Sequence, residues 1–325
     1  IGVQGTRTPG AGRASLGLVT HYGSSLLKAE SAGEDEAQLV EHRMAGALLA
    51  ELGVGPRTAI GFAAPFVVYQ DAEGLAGLSP PAHPTALGDA RVSARYRFIG
   101  DVPKDALSND DGPGLALMVT GIVPGGDDEA FVGEGPFRLD AQLLADVHLL
   151  GSGVGASVGI RHRFERRELF NESIRDEFTF GAAIRLPIPP LHPLQAMVEV
   201  RGATDFQGAA TTAVEGQLGL WLPLGELALV LAGGPGFTGG IGVPGVRVVA
   251  GLWYAPTEDD ADHDGVADAK DQCPPLPEDL DQFQDHDGCP DPDNDNDLVP
   301  DADDLCPNIE ALEDQDDDED GCTDK

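Results

Sequence analysis

Along the first 255 residues, apolar and polar side chains alternate with a period of two in about twelve separate stretches, the mark of half-buried β-strands. In 89–98, Val92, Ala94, Tyr96 and Phe98 alternate with Arg91, Ser93, Arg95 and Arg97. In 137–149, Phe137, Leu139, Ala141, Leu143, Ala145, Val147 and Leu149 oppose Arg138, Asp140, Gln142, Asp146 and His148. In 153–164, Val154, Ala156, Val158 and Ile160 oppose Arg161 and Arg163, and 177–186 carries Arg185 on its polar side. Further on, Val198 and Val200 face away from Glu199 and Arg201, Val214, Leu218 and Leu220 from Glu215 and Gln217, and Val246, Val248, Leu252 and Tyr254 from Arg247 and Gly251. Stretches 14–22, 58–69, 114–123 and 226–232 repeat the pattern more weakly. Stretch 38–52 reads as a strand or, because Ala, Leu and Glu favour it, as a helix.

Two architectures alternate in this way. A soluble β-sandwich turns its polar faces to water. A membrane barrel turns its apolar faces to lipid, in segments of about 10 residues. No run approaches the ~18 apolar residues of a membrane helix, which leaves the barrel open. The pairing of charged faces with uninterrupted apolar faces over so many strands favours it. So do the connections, which alternate between long (23–37, 70–88, 124–136, 165–175, 205–211, 233–244) and short (53–57, 150–152, 187–194, 222–225). The link at 99–113 breaks the rule. The expected fold is all-β: an antiparallel transmembrane β-barrel of about 12 strands over residues 1–256, then an irregular calcium-binding repeat tail over 257–325. An even strand count puts both barrel termini in the periplasm. Arg91, Arg95, Arg97, Asp140, Asp146, Arg161, Arg163, Arg185, Glu199, Arg201 and Glu215 would face the lumen, lining a narrow pore or plugging it with ion pairs. Tyr22, Tyr69, Tyr96, Phe164, Trp221, Trp253 and Tyr254 lie near strand ends, where lipid-interface girdles or core edges form.

The tail departs from this pattern. Asp260-x-Asp262-x-Asp264-Gly265-x-x-Asp268-x-x-Asp271-x-Cys273-Pro274 returns 33 residues later as Asp293-x-Asp295-x-Asp297-Leu298-x-x-Asp301-x-x-Asp304-x-Cys306-Pro307. A shorter unit, Asp285-x-Asp287-Gly288-Cys289-Pro290-Asp291, returns as Asp318-x-Asp320-Gly321-Cys322-Thr323-Asp324, preceded by Asp316. Carboxylates at positions 1, 3, 5 and 12 of a tight loop, with a backbone carbonyl at 7, make an oxygen cage for calcium. The Val266 and Val299 carbonyls fill position 7. Leu298 replaces the turn glycine of the first loop, so the second site should be strained or weaker. From Glu258 onward 28 acidic residues face 2 basic ones, a net of −26 out of −36 for the chain. An acidic disordered segment shares that composition, but not the fixed spacing. No basic cluster exists, so nucleic acid is not an expected partner. All four cysteines lie in the tail; their even spacing favours Cys273–Cys289 and Cys306–Cys322, although four cysteines allow three pairings. Zinc is the alternative, disfavoured by the absence of C-x-x-C and by the surrounding hard carboxylates.

On these residues the tail resembles thrombospondin type 3 repeats. The resemblance implies a segment with little apolar core, wrapped around calcium ions and stapled between successive cysteines. Leu87-Gly88-Asp89-Ala90-Arg91-Val92 and Gly251-Leu252-Trp253-Tyr254-Ala255-Pro256, running into such repeats, resemble the OmpA family of Gram-negative outer-membrane proteins, particularly its larger-barrel members. That resemblance implies outer-membrane lipid as partner, a periplasmic tail, and attachment to peptidoglycan through a C-terminal domain lying beyond this sequence. The first residue is not Met, and the chain is read as a processed or truncated product. Calcium-dependent adhesion is the alternative role. No enzyme is expected. Gly151-Ser152-Gly153-Val154-Gly155-Ala156 fits a dinucleotide loop in letters only, since no helix follows it. His148 and His162 are expected as lumen or loop residues rather than metal ligands.

Overall fold

The computed structural model describes residues 5–6, 8–29, 37–71, 85–100, 113–127, 136–149, 151–165, 167–169, 172–174, 176–208, 211–240, 242–256, 261–262, 264, 266, 268, 271–279, 281, 283–311 and 320–323. The chain divides into two units, Ile1–Thr257 and Glu258–Lys325.

Twelve long strands make up the first unit. They are β1 (Ala14–Ala29), β2 (Ala37–Gly55), β3 (Thr58–Asp71), β4 (Ala90–Ile99), β5 (Pro113–Val123), β6 (Arg138–Leu149), β7 (Ser152–Arg163), β8 (Glu177–Pro187), β9 (Gln195–Thr204), β10 (Ala213–Leu224), β11 (Leu227–Pro235) and β12 (Val246–Tyr254). Each pairs antiparallel with its neighbours in sequence, and β1 pairs with β12 from Leu16↔Tyr254 to Ser24↔Val246, closing the sheet on itself. A two-residue strand, Ala86–Leu87, adds to β3 beside β4. The fold is thus a closed 12-stranded antiparallel barrel. Residues 38–52 belong to β2: the helix-favouring composition loses to pairing with β1 and β3 on both sides. Gly151 and Gly153 belong to the β6–β7 hairpin, a turn and a strand start rather than a phosphate loop.

The polarity of the barrel is inverted relative to a soluble domain. Large apolar side chains stand on the outside: Leu48 is 57% exposed and Ile160 60%. The most enclosed large side chains include Arg97, Arg138 and Glu199, each 1% exposed. A sandwich core would have the reverse arrangement. A small buried apolar cluster, Ala116, Met118 and Leu144, sits where β5 meets β6, and Leu49, Ile122, Phe180 and Met197 also line the interior. Two-residue turns join β2 to β3, β6 to β7 and β10 to β11, while odd-numbered strands lead into the longer links. The β4–β5 link of residues 100–112 is the exception. The barrel's first and last strands begin and end on the short-turn rim, at Ala14 and Tyr254.

If lipid covers the outer face, Val158→Arg, on the outward side of β7, should lower folding stability in lipid vesicles by ~2–4 kcal/mol. Denaturant titration of vesicle-embedded protein measures it. A change within ~0.5 kcal/mol would show that water meets that face.

Candidate functional site

Cross-strand register builds the interior. Asp140 on β6 lies opposite Arg161 on β7, and Glu177 on β8 lies opposite the same arginine. Arg161 therefore grips Asp140 with Nε and Nη2 at 3.0 and 3.1 Å, and donates Nη1 to Glu177 at 3.2 Å. Arg163 donates to Glu177 at 2.8 Å. A second network centres on Glu215, opposite Arg201 across β9 and β10. Glu215 accepts from Arg201 at 3.4 Å and from Arg247 at 2.8 and 3.0 Å, while Arg201 lies 3.9 Å from Glu199. Arg247 reaches Glu215 past β11, where its pairing partner is Gly234; a Cβ there would sit 1.9 Å from the Gly216 carbonyl oxygen.

The short-turn end is occupied differently. Residues 5, 6 and 8–13 fold into the barrel mouth. Thr6 donates its amide and hydroxyl to Asp146 at 2.7 and 2.6 Å, and Arg95, ion-paired with Glu51, donates to the Gly5 carbonyl at 2.8 Å. Gly53 lets this segment pass, since a Cβ would lie 2.2 Å from the Gly10 oxygen. Asp146 thus serves the N-terminal segment and not Arg161 or Arg163. Arg185 lies 3.3 Å from the His148 ring and stacks over Trp221 at 5.2 Å, with Trp253 beyond at 6.0 Å. Both tryptophans line the interior, which decides for them between the two places that a strand end allows. Tyr22, Tyr69, Tyr96, Phe164 and Tyr254 are exposed, as a girdle requires. His162 points to the rim, hydrogen-bonded to Asp176 at 2.9 Å.

All eleven expected lumen residues lie on strands of this barrel. Arg97 is enclosed and donates to the Ile99 carbonyl at 3.4 Å. Arg91 is exposed within the lumen and makes no hydrogen bond or ion pair among the described residues. Sequence reasoning did not assign Glu51, Glu177, Arg138, Arg43, His21 or Arg247 to the lumen, although the parity of Arg247 and Arg138 with their strand neighbours marks them. Glu51, Arg91, Arg95, Asp140, Asp146, Arg161, Arg185, Glu199, Arg201 and Glu215 line a cavity of about 810 Å³.

In the tail, the 33-residue repeat in sequence is a repeat in geometry. Asp264 accepts the Val266 and Glu278 amides as Asp297 accepts those of Val299 and Ala311. Asp268 accepts from Ala261 as Asp301 does from Asn294. Asp271 and Asp304 accept the amides of Cys273 and Cys306, and Asp287 and Asp320 those of Cys289 and Cys322. Disulfides join Cys273 to Cys289 and Cys306 to Cys322. Gly288 and Gly321, at φ +74° and +78°, pack where a Cβ would strike the carboxylates of Asp271 and Asp304. The short unit carrying Asp285, Asp287 and Asp291 is thereby clamped against the preceding loop. Leu298 sits at φ +79°, a left-handed conformation costing a non-glycine residue about 1–2 kcal/mol.

One carboxylate oxygen from each of Asp262, Asp264 and Asp271 lies within 4.8 Å of the others, and the same holds for Asp293, Asp295 and Asp297. Asp271 Oδ2, Asp293 Oδ1, Asp295 Oδ2, Asp301 Oδ2 and Asp304 Oδ2 are buried without a hydrogen-bond partner among the described residues. Such oxygens are costly unless a cation meets them. Loss of water pushes the Asp304 carboxyl above its usual range; the Cys306 amide opposes this, and the charges of Asp297, Asp295 and Asp301 add to it. Asp291 is raised by loss of water and by its acidic neighbours, Asp287 first. An all-oxygen, crowded carboxylate set fits calcium. Asp260, Asp316, Asp318 and Asp324 lie outside the described residues.

No protein-family model matches the chain, and no curated protein matches it by sequence. The solved structure of an outer membrane channel from Pseudomonas putida F1 is similar, with a TM-score of 0.56 at 14% identity, over 79% of this chain and 100% of that one. The NanC porin is similar at a TM-score of 0.48 and 9% identity, over 74% of this chain and 98% of that one. The first of these likenesses establishes the fold as a barrel of the outer-membrane type.

Proposed function

We propose that the protein is a non-enzymatic outer-membrane channel for small water-soluble solutes, with a calcium-loaded, disulfide-stapled tail. The observation that carries the channel is the inverted polarity: an apolar outer band around a charged cavity of about 810 Å³. Lipid is the solvent that suits the first and water the one that suits the second. The fold likeness to a channel of the outer membrane supports the same reading. Long links then face outward and short turns face the periplasm, where the last strand would deliver the tail. The enclosed volume and the N-terminal segment at one mouth favour passage of small solutes only.

Calcium would be held by Asp262, Asp264 and Asp271 in the first loop and by Asp293, Asp295 and Asp297 in the second. Bound there, it would neutralise crowded carboxylates that otherwise meet only backbone amides and hold the tail in shape. The tail would act as a stiff spacer in the periplasm, toward peptidoglycan.

Reconstituted full-length protein should give discrete conductance steps in planar bilayers. A correctly folded barrel that passes no current would remove the channel reading. Calcium titration followed by EDTA, read by protease resistance of the tail in the full chain, tests the second part: resistance should rise with calcium and fall on chelation. Asp264→Ala and Asp297→Ala should each abolish saturation of one loop. Leu298→Gly should tighten the second loop by roughly tenfold, because it relieves a left-handed strain of about 1–2 kcal/mol. Calorimetric titration showing no gain would separate that strain from affinity.

A further inference from the structure

We infer that the long-link half of the lumen contains an anion site centred on Arg91, through which the channel selects small oxyanions over cations. The inference rests on the channel reading for its transport consequence, though the site itself stands on geometry.

The two ionic networks of this half are each balanced. Asp140 and Glu177 answer Arg161 and Arg163. Glu199 and Glu215 answer Arg201 and Arg247. Asp89 accepts the amides of Gly125 and Gly126 at 3.2 and 2.9 Å and lies 4.0 Å from Arg138. Arg91 remains. It points inward from β4, between Val92 and the preceding turn, and lines the cavity. Its cross-strand neighbours are Ala63 on β3 and Ile122 on β5, neither of which offers it a charge. The charges that reach it come from Arg161, Asp140 and Arg201 and from Asp89 two residues before it, and both acids among them are already engaged. Arg43, also in this half, hydrogen-bonds the neutral amide of Gln70 at 3.1 Å.

Among the described residues Arg91 is thus a lumen charge with no protein acid bonded to it, in a chain whose formal net charge is −36. Low-dielectric walls focus that charge onto whatever crosses the cavity. A guanidinium presents a planar fork of donors that matches carboxylate and phosphate oxygens. With its side chain exposed in the cavity and no protein acid bonded to it among the described residues, Arg91 is placed to exchange a hydration shell for a passing oxyanion.

The test uses full-length protein in planar bilayers under a potassium chloride gradient, with inorganic phosphate as the probe oxyanion. Wild type should prefer chloride to potassium, and millimolar phosphate should reduce the chloride current. Arg91→Gln should lower the chloride-to-potassium permeability ratio by about sixteenfold, since a unit charge ~10 Å from the permeating ion at an effective dielectric constant of ~40 shifts chloride and potassium about fourfold each in opposite senses, and should remove the phosphate effect. Arg91→Lys should keep the preference and weaken phosphate block. Ser93→Glu, which adds an inward acid two residues along β4, should lower the ratio with Arg91 intact and covers the case in which Arg91→Gln does not fold. Phosphate binding to detergent-solubilised protein, followed by phosphorus line broadening, reads the site without current. Binding that Arg91→Gln abolishes supports the site even if no current flows and the channel reading fails. A cation-preferring or unselective wild-type current, or phosphate binding unchanged in Arg91→Gln, overturns the site while leaving the channel.

Discussion

Everything in the first unit depends on a sheet that has no edge. In hydrocarbon an unpaired backbone amide or carbonyl costs several kcal/mol, and a strand can satisfy both only through neighbours. The nine-residue ladder between β1 and β12 supplies the last pair of neighbours, so the strands satisfy one another around a complete circuit. Once the circuit is closed, every strand has one face in and one face out. The period-two alternation is then the only sequence pattern that serves lipid and water at once.

That dependence explains what was legible in the sequence. Strand number and phase followed from alternation, because residues such as Val154, Val158 and Ile160 must all share one solvent. The ion pairs across β6, β7 and β8 followed as a class, although their partners required register: Asp140 meets Arg161 because they are directly opposite, and Asp146, six residues on, is a full rim away. The tryptophans illustrate the same rule. Trp221 shares parity with Glu215 and Gln217, and Trp253 with Arg247, so parity places both in the lumen. Position near a strand end was the weaker signal, and it left the side open. The β2 segment was ambiguous because its composition suits a helix, and only pairing on both flanks decides between the two.

The N-terminal segment could not be read this way. Gly5, Thr6, Thr8 and Pro9 have no periodicity, and their place is set by distant groups: Asp146 and Arg95 as partners, Gly53 and Gly114 as gaps. A segment held by long-range polar contacts leaves no local pattern. Its effect on the lumen is nevertheless specific. It uses up Asp146 and part of the hydrogen-bonding capacity of Arg95 at the short-turn mouth, so the charges left facing water are concentrated at the opposite end.

The tail reaches order by a different route from the same difficulty. Neither unit owns a sizeable apolar core. The barrel makes lipid its apolar surroundings and gathers charge inside, where arginine and carboxylate neutralise each other. The tail has acids and almost no bases, so no such internal neutralisation exists. Its loops instead turn carboxylates toward common centres, and two 16-residue disulfide loops limit the open chain that repulsion would otherwise favour. Loss of water and the neighbouring charges of Asp297, Asp295 and Asp301 push the Asp304 carboxyl above its usual range, the direction expected of acids crowded without a counter-charge. On the proposed reading, the aspartate spacing would specify a shape together with a divalent cation, much as the strand alternation would specify one together with a bilayer.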